Sequence, residues 1–320
     1  MNYTQEEVLQ FIKDEDVKFI RLVFCDAFGN QKNISIISEE AERAFKYGIA
    51  IDASAIKAFG NEAKSDLFLH PDPSTLAILP WRPEHGRVCR MYCNITYPHG
   101  TPFECDTRAI LQNSIQKAQN AGLSFYFGAE MEFYLFKLNE NGRPTAETID
   151  DAGYMDMAPE DKGENVRREI CLTLEQMDIY PESSHHEEGP GQNEIDFKYS
   201  SPLEAADNAM TFRTVVKSIA NRNGVNANFM PKPLEDEPGN GFHINFSCKS
   251  DTQKDVMPFA IAGVLKHIKD ITVFLNSTKQ SYSRLGKAKA PKYITWSKSN
   301  RSDLIRIPAR SEEHTSELQS

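Results

Sequence analysis

A chain of 320 residues, 40% hydrophobic and 26% charged, has the length for one large or two ordinary domains and ample material for a core. Its formal net charge of −10 argues against nucleic acid as a partner, which would favour a basic patch. No apolar run is long enough to span a bilayer, the start MNYTQEEVLQ is acidic and helical in pattern rather than leader-like, and the six cysteines lack CxxC pairs, so a reduced cytoplasmic protein without a membrane partner is expected.

Thr4-Gln5-Glu6-Glu7 reads as a capping box opening a short helix. DVKFIRLVFCDAFGNQKNISI (16–36) contains two strand-like runs around Phe28-Gly29-Asn30. Residues 38–47 read as a helix closed by Gly48. Pro80, Pro83, Pro98 and Pro102 mark a joint, which predicts a first domain over residues 1–105 and a second over 106–309. From Asp106 onward helix and strand alternate. Asp106 caps TRAILQNSIQKAQNAG (107–122) with Gly122 as its stop, Ser201-Pro202-Leu203-Glu204 reads as a capping box with proline at the first helical position, and residues 255–275 form a further long helix. This alternation predicts α/β packing, with strands lining a cavity and helices outside.

The chemistry concentrates on three of these strands. In SFYFGAEMEFYLF (124–136), Phe125, Phe127, Ala129, Met131, Phe133 and Leu135 share one face, and Glu130 and Glu132 share the other, about 7 Å apart. A strand this apolar is covered on at least one face, and partly buried carboxylates must be protonated, paired or bound to metal. HHEEGPGQNEID (185–196) frames Glu187 and Glu194 around a Gly-Pro-Gly turn; alternation puts His185 with Glu187 and Glu194 with Asp196. GNGFHINFS (239–247) sets His243, Asn245 and Ser247 opposite Phe242, Ile244 and Phe246. A lone histidine of this kind usually belongs to a core, and His243 gains weight only from its company. Four glutamates and a histidine suit hard divalent cations such as magnesium or manganese, and suggest a two-metal phosphoryl-transfer site.

Taken in order, IDASAI (51–56), LPW (79–81), GAEMEF (128–133), HHEEGPGQNEID (185–196), GNGFHINFS (239–247), SRL (283–285) and NRSDLIRIP (300–308) resemble the motifs of the glutamine synthetase family, over residues 1–309. The resemblance implies an α+β protein: a small N-terminal β-grasp domain, then a larger sheet-lined α/β catalytic domain, incomplete here, in a homo-oligomer whose active sites form between subunits. It implies that Glu132 and Glu194 hold one metal and Glu130, Glu187 and His243 the other. It further implies that Glu182, Asn245 and Ser247 lie near the nucleotide, that Arg301 and Arg306 face phosphates, that Arg284, with Gly239 and Asn240, holds the amino acid, and that Asp52 serves the ammonium site of a neighbouring subunit. The implied reaction moves the γ-phosphoryl group of ATP to the side-chain carboxylate of glutamate, giving an acyl phosphate that ammonia attacks. Magnesium or manganese neutralises crowded oxygens there, and arginines grip carboxylate and phosphate bidentately.

Three departures qualify the resemblance. Pro238-Gly239-Asn240-Gly241 stands where the family commonly has Asn-Gly-Ser-Gly, and Ala53-Ser54-Ala55 where Gly-Ser-Ser is usual. In RLGKAKAPKY (284–293), Lys289 occupies the place of a glutamate that helps close the site and accepts a proton from ammonium, which a lysine ammonium cannot do. Two alternatives follow: a γ-glutamyl ligase using a larger, polyamine-type amine, or a catalytically weak member kept for assembly or regulation. Finally, RSEEHTSELQS (310–320) has no apolar periodicity and resembles the translation of a sequencing-adapter oligonucleotide. Residues 310–320 are therefore expected to be non-native, with the catalytic domain cut short of a further glutamate ligand and further arginines, and the chain as given inactive.

Overall fold

The computed structural model describes residues 3–60, 65–252, 255–308 and 316–319, the side chains of 316, 317 and 319 excepted. The chain divides into two units, Met1–Lys117 with Gln176–Asp178, and Ala118–Glu175 with Ile179–Ser320. Among the described residues, no helix is long and apolar enough to cross a membrane.

The first unit opens with the expected capping box. The Glu7 N–H donates to the Thr4 hydroxyl at 3.2 Å, and the Thr4 N–H donates to the Glu7 carboxylate at 2.7 Å, starting α1 (Gln5–Asp14). β1 (Val17–Cys25) turns at Gly29, whose φ is +72°, into antiparallel β2 (Gln31–Ile37). A 3₁₀ turn (Ser38–Glu40) leads into α2 (Ala41–Tyr47), which Gly48 closes at φ +73°. β3 (Ile49–Asp52), β4 (Asp66–Pro71), β5 (Ala77–Ile78) and β6 (Arg87–Thr96) complete a sheet ordered β2-β1-β6-β4-β3, with β5 on β6. β1 and β6 run parallel at its centre. The core beneath is apolar, with Val8, Ile20, Leu22, Leu69, Cys89 and Cys93 all at 0% exposure.

Asp106 caps α3 (Thr107–Asn120) by accepting the Arg108 N–H at 3.0 Å, and Gly122 ends it at φ +71°. The division into units falls after Lys117 instead of at Cys105, because the first turn of α3 is tied to the first unit. Asp106 also accepts the Ile95 N–H at 2.9 Å, and Arg108 pairs with Asp72 at 2.6 Å.

The second unit is built on β7 (Leu123–Leu138). Around it lie β8 (Pro144–Thr148), α4 (Glu164–Glu175), β9 (Pro181–His186), β10 (Gln192–Phe197), α5 (Pro202–Arg222), β11 (Val225–Asn228), β12 (Phe242–Ser250), α6 (Met257–Leu275), α7 (Lys279–Arg284), β13 (Trp296–Ser297), β14 (Ile305–Arg306) and β15 (Ser316–Gln319). The sheet runs β13-β14-β15-β12-β7-β10-β9, with β8 and β11 also on β7. Helices alternate with strands as expected, yet every pairing made by β7 is antiparallel. The face of β7 carrying Phe133 packs on α5, where Phe133 and Phe212 meet edge to face with centroids 6.2 Å apart. Ser201 precedes α5 but forms no capping box: its hydroxyl donates to the Glu204 carboxylate at 3.3 Å and accepts nothing from the helix backbone, while Pro202 starts the helix. Of the segment expected to be non-native, residues 310–315 and 320 lie outside the described residues, and 316–319 pair with β12 and β14, with Leu318 buried beside Phe246 and Ile305.

Candidate active site

Strand register gathers the acids. On β7, Glu130 and Glu132 project to the same side; Glu194 of β10 stands opposite Glu132, and Asp196 opposite Glu130. From the other flank, His243 of β12 stands opposite Glu130, and on β9 His185 stands opposite Glu194. Glu187 follows β9 directly, at the start of the Gly-Pro-Gly turn. That turn needs its glycines. A side chain at Gly189 would begin 2.1 Å from the Tyr134 hydroxyl, and Gly191 adopts φ +67° with its missing Cβ 2.9 Å from the Leu135 carbonyl.

The result is one cavity of about 760 Å³ lined by Glu130, Glu132, Glu187, Glu194 and His243 together with Gly239, Arg284, Lys289, Arg301 and Arg306. The Asn245 amide donates to Glu130 at 2.5 Å and the His243 Nδ1 lies 3.1 Å from its other oxygen. The Gln192 amide and the Gly241 N–H each donate to one oxygen of Glu132 at 2.8 Å. Gly241 is there because a Cβ would stand 2.7 Å from Glu132 and 2.9 Å from His243. His185 Nε2 lies 3.1 Å from Glu187 and 3.4 Å from Glu194.

So many buried carboxylates cannot all be ionised. Burial, followed by the negative charges of Glu132 and Asp196, pushes the Glu194 carboxyl up to about 11. Burial also lifts Glu187, but the hydrogen bonds from His185, with Glu194 and from the Glu188 N–H outweigh it and hold that carboxyl low. Their crowding favours one proton between the two, and burial beside Glu132 and Asp196 favours Glu194 as its holder. Burial raises Glu132, and lifts Asp196 to about 6. Glu130 ends low despite its burial, through the hydrogen bond and charge of His243 and the Asn245 amide. Hard oxygen donors with one imidazole, crowded until one must hold a proton, match a divalent cation of the magnesium or manganese type.

The donor atoms fall into two compact groups, each within 4.8 Å: Glu130, Glu194 and His243, and His185, Glu187 and Glu194. Glu194 bridges them. This partition differs from the implied one, which put Glu187 with Glu130 and His243 and paired Glu132 with Glu194. Register explains it: Glu187 follows β9, beyond β10, and Glu130 and His243 face each other across the β7–β12 pair. His185 escaped the residue assignments, although its alternation with Glu187 carried the signal. Gln192, Asp196 and Tyr154, which also line the cavity, were likewise missed.

Other assignments fare unevenly. Arg284 reaches the cavity, where burial lowers its guanidinium; the Glu132 charge opposes that. Lys289 pairs with Glu188 at the cavity wall. Asn240 does not line the cavity: its amide donates to the carbonyls of Asn228 at 3.1 Å and Met230 at 2.9 Å, so it holds its own loop, while Gly239 faces the cavity. Glu182 is exposed on β9, Ser247 is buried on β12, and neither lines the cavity; Asn245 acts through Glu130. Asp52 ends β3 in the first unit, exposed, and accepts from the Ser54 N–H at 2.9 Å and the Ser54 hydroxyl at 2.6 Å.

Comparison with known proteins identifies the family of the chain. The profile described as "Glutamine synthetase, catalytic domain" matches residues 104–319, and that described as "Glutamine synthetase, beta-Grasp domain" matches residues 16–98. The chain is similar to a glutamine synthetase of Clostridium saccharobutylicum, 44% identical over 321 residues that cover 96% of this chain and 72% of the relative. It is also similar to one of Methanosarcina mazei, 45% identical over 320 residues that cover 96% of this chain and 71% of the relative. Among solved structures, a GmaS/ADP complex superposes with a TM-score of 0.87 at 25% identity, over 99% of this chain and 76% of that one. A Plasmodium falciparum glutamine synthetase, at 24% identity and a TM-score of 0.88 over 99% of this chain and 71% of that one, shares the fold.

Proposed function

The chain belongs to the glutamine synthetase family, and we propose that its acidic cavity is where glutamate, ammonia and the phosphates of ATP meet. The activity is that of a carbon-nitrogen ligase forming glutamine from glutamate and ammonia with ATP, in line with relatives 44% and 45% identical to it that are named glutamine synthetase. A larger amine as the acceptor has no such support.

One observation carries the reading: four glutamates and a histidine from β7, β10, β12 and the turn after β9 line one cavity. Magnesium or manganese, when bound, neutralises phosphoryl oxygens and aligns donor with acceptor. Glu130 with His243, and Glu187 with His185, each completed by Glu194, are the groups that would hold the ions. Glu132 is oriented in advance by Gln192 and Gly241. Arg284 presents a fork of N–H donors to the carboxylate of the amino acid, and Arg301 and Arg306 present theirs to phosphate oxygens. The ammonium ion must lose a proton before it attacks, and Lys289 cannot take it; with its charge matched by Glu188, it also repels the cation less. Glu182, Asn245 and Ser247 remain the residues nearest the nucleotide in this reading, Asp52 acts on a neighbouring subunit of a homo-oligomer, and the enzyme works in the cytoplasm.

The test is a calorimetric titration with Mn²⁺, beside an assay of glutamine and phosphate from glutamate, ammonium and Mg-ATP. Saturable binding that E130A/E194A, which takes a ligand from each group, abolishes is expected, and in a chain extended to the relatives' length E194A alone should reduce turnover about 100-fold or more. Binding left intact by the double substitution would place the metals elsewhere and overturn the reading.

A further inference from the structure

Next to the cavity, but not lining it, lies a buried cluster that the reaction itself does not use. Alternation along β9 turns His186 away from His185, and its side chain is 0% exposed; that of Asp150, just after β8, is 1% exposed. The Asp150 Oδ1 accepts from His186 Nε2 at 3.1 Å and from the Gly191 N–H at 2.8 Å, and its Oδ2 accepts the Lys162 N–H at 2.9 Å. On the other side of the ring, His186 Nδ1 donates to the Glu187 carbonyl at 2.7 Å. With a carboxylate at one nitrogen and a carbonyl at the other, both ring nitrogens donate. One Asp-His pair therefore grips the turn at its first residue, Glu187, and its last, Gly191.

What the turn carries makes that grip consequential. The Glu187 N–H donates to the Gln192 carbonyl at 2.8 Å, the Gln192 N–H to the Gly189 carbonyl at 2.9 Å, and the Gly189 N–H to the Gln192 side-chain oxygen at 3.0 Å. The Gln192 amide is in turn what orients Glu132. A second arm reaches the same place: Arg167, ion-paired with Asp161 at 2.5 Å, donates to Asn193 at 2.5 Å, and the Asn193 amide donates to the Gly191 carbonyl at 2.9 Å.

We propose that Asp150 and His186 are positioning residues that clamp the turn 187–191 at both ends, thereby setting the carboxylate of Glu187 and, through Gln192, that of Glu132. This rests on the metal-binding role assigned to the cavity and adds to it a buried support. Partners of this kind, one step removed from ligands, typically change metal affinity by about 10 to 100-fold when altered.

D150N, H186Q and H186N, with V216A as a comparator, test the proposal. Val216 is a core residue of α5 at 0% exposure, so its truncation lowers stability without touching the turn. Two measurements are made on each: Mn²⁺ affinity, and hydrogen exchange of the backbone over residues 185–194. D150N and H186Q are expected to weaken Mn²⁺ binding about 10-fold or more and to speed exchange in that segment, whereas V216A lowers the melting temperature and leaves both unchanged. In H186N the shorter amide reproduces Nδ1 and keeps the Glu187 contact while losing Asp150, so affinity falls less than in H186Q. D150N and H186Q that only lower the melting temperature, as V216A does, would overturn the clamp, and so would H186N failing as badly as H186Q. If the parent binds no Mn²⁺, the metal assignment of the cavity is what fails, and the exchange rates alone decide on the clamp.

Discussion

The two sheets of this protein solve opposite problems. In the first unit the sheet buries what water rejects: Leu22, Leu69 and even the thiols of Cys89 and Cys93, whose burial raises Cys89 to about 12 and makes both inert. In the second unit the sheet buries on its open side what water would have welcomed, the carboxylates of Glu130, Glu132 and Glu194. The first arrangement stabilises the fold by about 1.5 to 3 kcal/mol for each large apolar side chain. The second works against the metal-free fold, and makes sense only with a cation to receive it. Stability and chemistry are thus assigned to different sheets, and the separation can be tested by trying to move one without the other.

The largest effect should come from Glu194→Gln. Because Glu194 already holds a proton in the metal-free protein, the neutral amide should leave the melting temperature almost unchanged. As a ligand it is lost, so Mn²⁺ affinity should fall, and in a chain extended to the relatives' length turnover should drop about 100-fold or more. A melting temperature that drops along with turnover would mean that the residue is part of the scaffold. The converse substitution is Leu69→Ala at 0% exposure in the first sheet, which should cost about 2 to 5 kcal/mol in urea unfolding. Mn²⁺ affinity of the folded protein should not move; a parallel loss of affinity would break the separation.

The pH dependence sharpens the same contrast. A carboxyl raised in the folded state keeps its full contribution to stability below the ordinary carboxylate range and loses it as pH rises toward the folded value, here about 11 for Glu194. The metal-free protein should therefore melt at lower temperature as pH increases from about 5 to 9. Since the cation displaces the Glu194 proton, its affinity should rise over that interval with a log-log slope of about one, and calorimetry in buffers of different ionisation enthalpy should register the released proton. A pH-independent affinity would show that Glu194 binds no metal. Smaller still, Thr4→Ala should cost about 1 kcal/mol by removing the capping box of α1, read from thermal unfolding. The smallest effect is expected at the cavity wall, where Lys289→Met breaks the pair with Glu188 and should change stability by less than about 1 kcal/mol, because both side chains are more than a third exposed.

Local rules were legible wherever a residue acts on its own neighbours in sequence. The capping box at Thr4, the glycine stops at Gly48 and Gly122, the Asp106 cap and the period-two faces of β7 and β12 depend on contacts a few residues apart. The same periodicity selected five of the residues that line the cavity, and the ordered motifs selected the family. Ser201 shows the limit of such rules, since a hydroxyl with a carboxylate in reach can donate to it and leave the helix end to proline.

Tertiary structure decided everything that depends on which strand lies beside which. Period two says which face a glutamate takes, but only register puts Glu194 against Glu132 and His243 against Glu130, and so groups Glu187 with His185 and Glu194. Asn240 looked available for a substrate until the carbonyls of Asn228 and Met230 claimed its amide. Alternation already set His186 on the face opposite His185, but only the fold brought Asp150 against its ring. The physical reason is the same in each case. Side-chain direction is set by the local backbone, whereas hydrogen-bond partners, burial and the proton on Glu194 are set by groups brought together from distant parts of the chain.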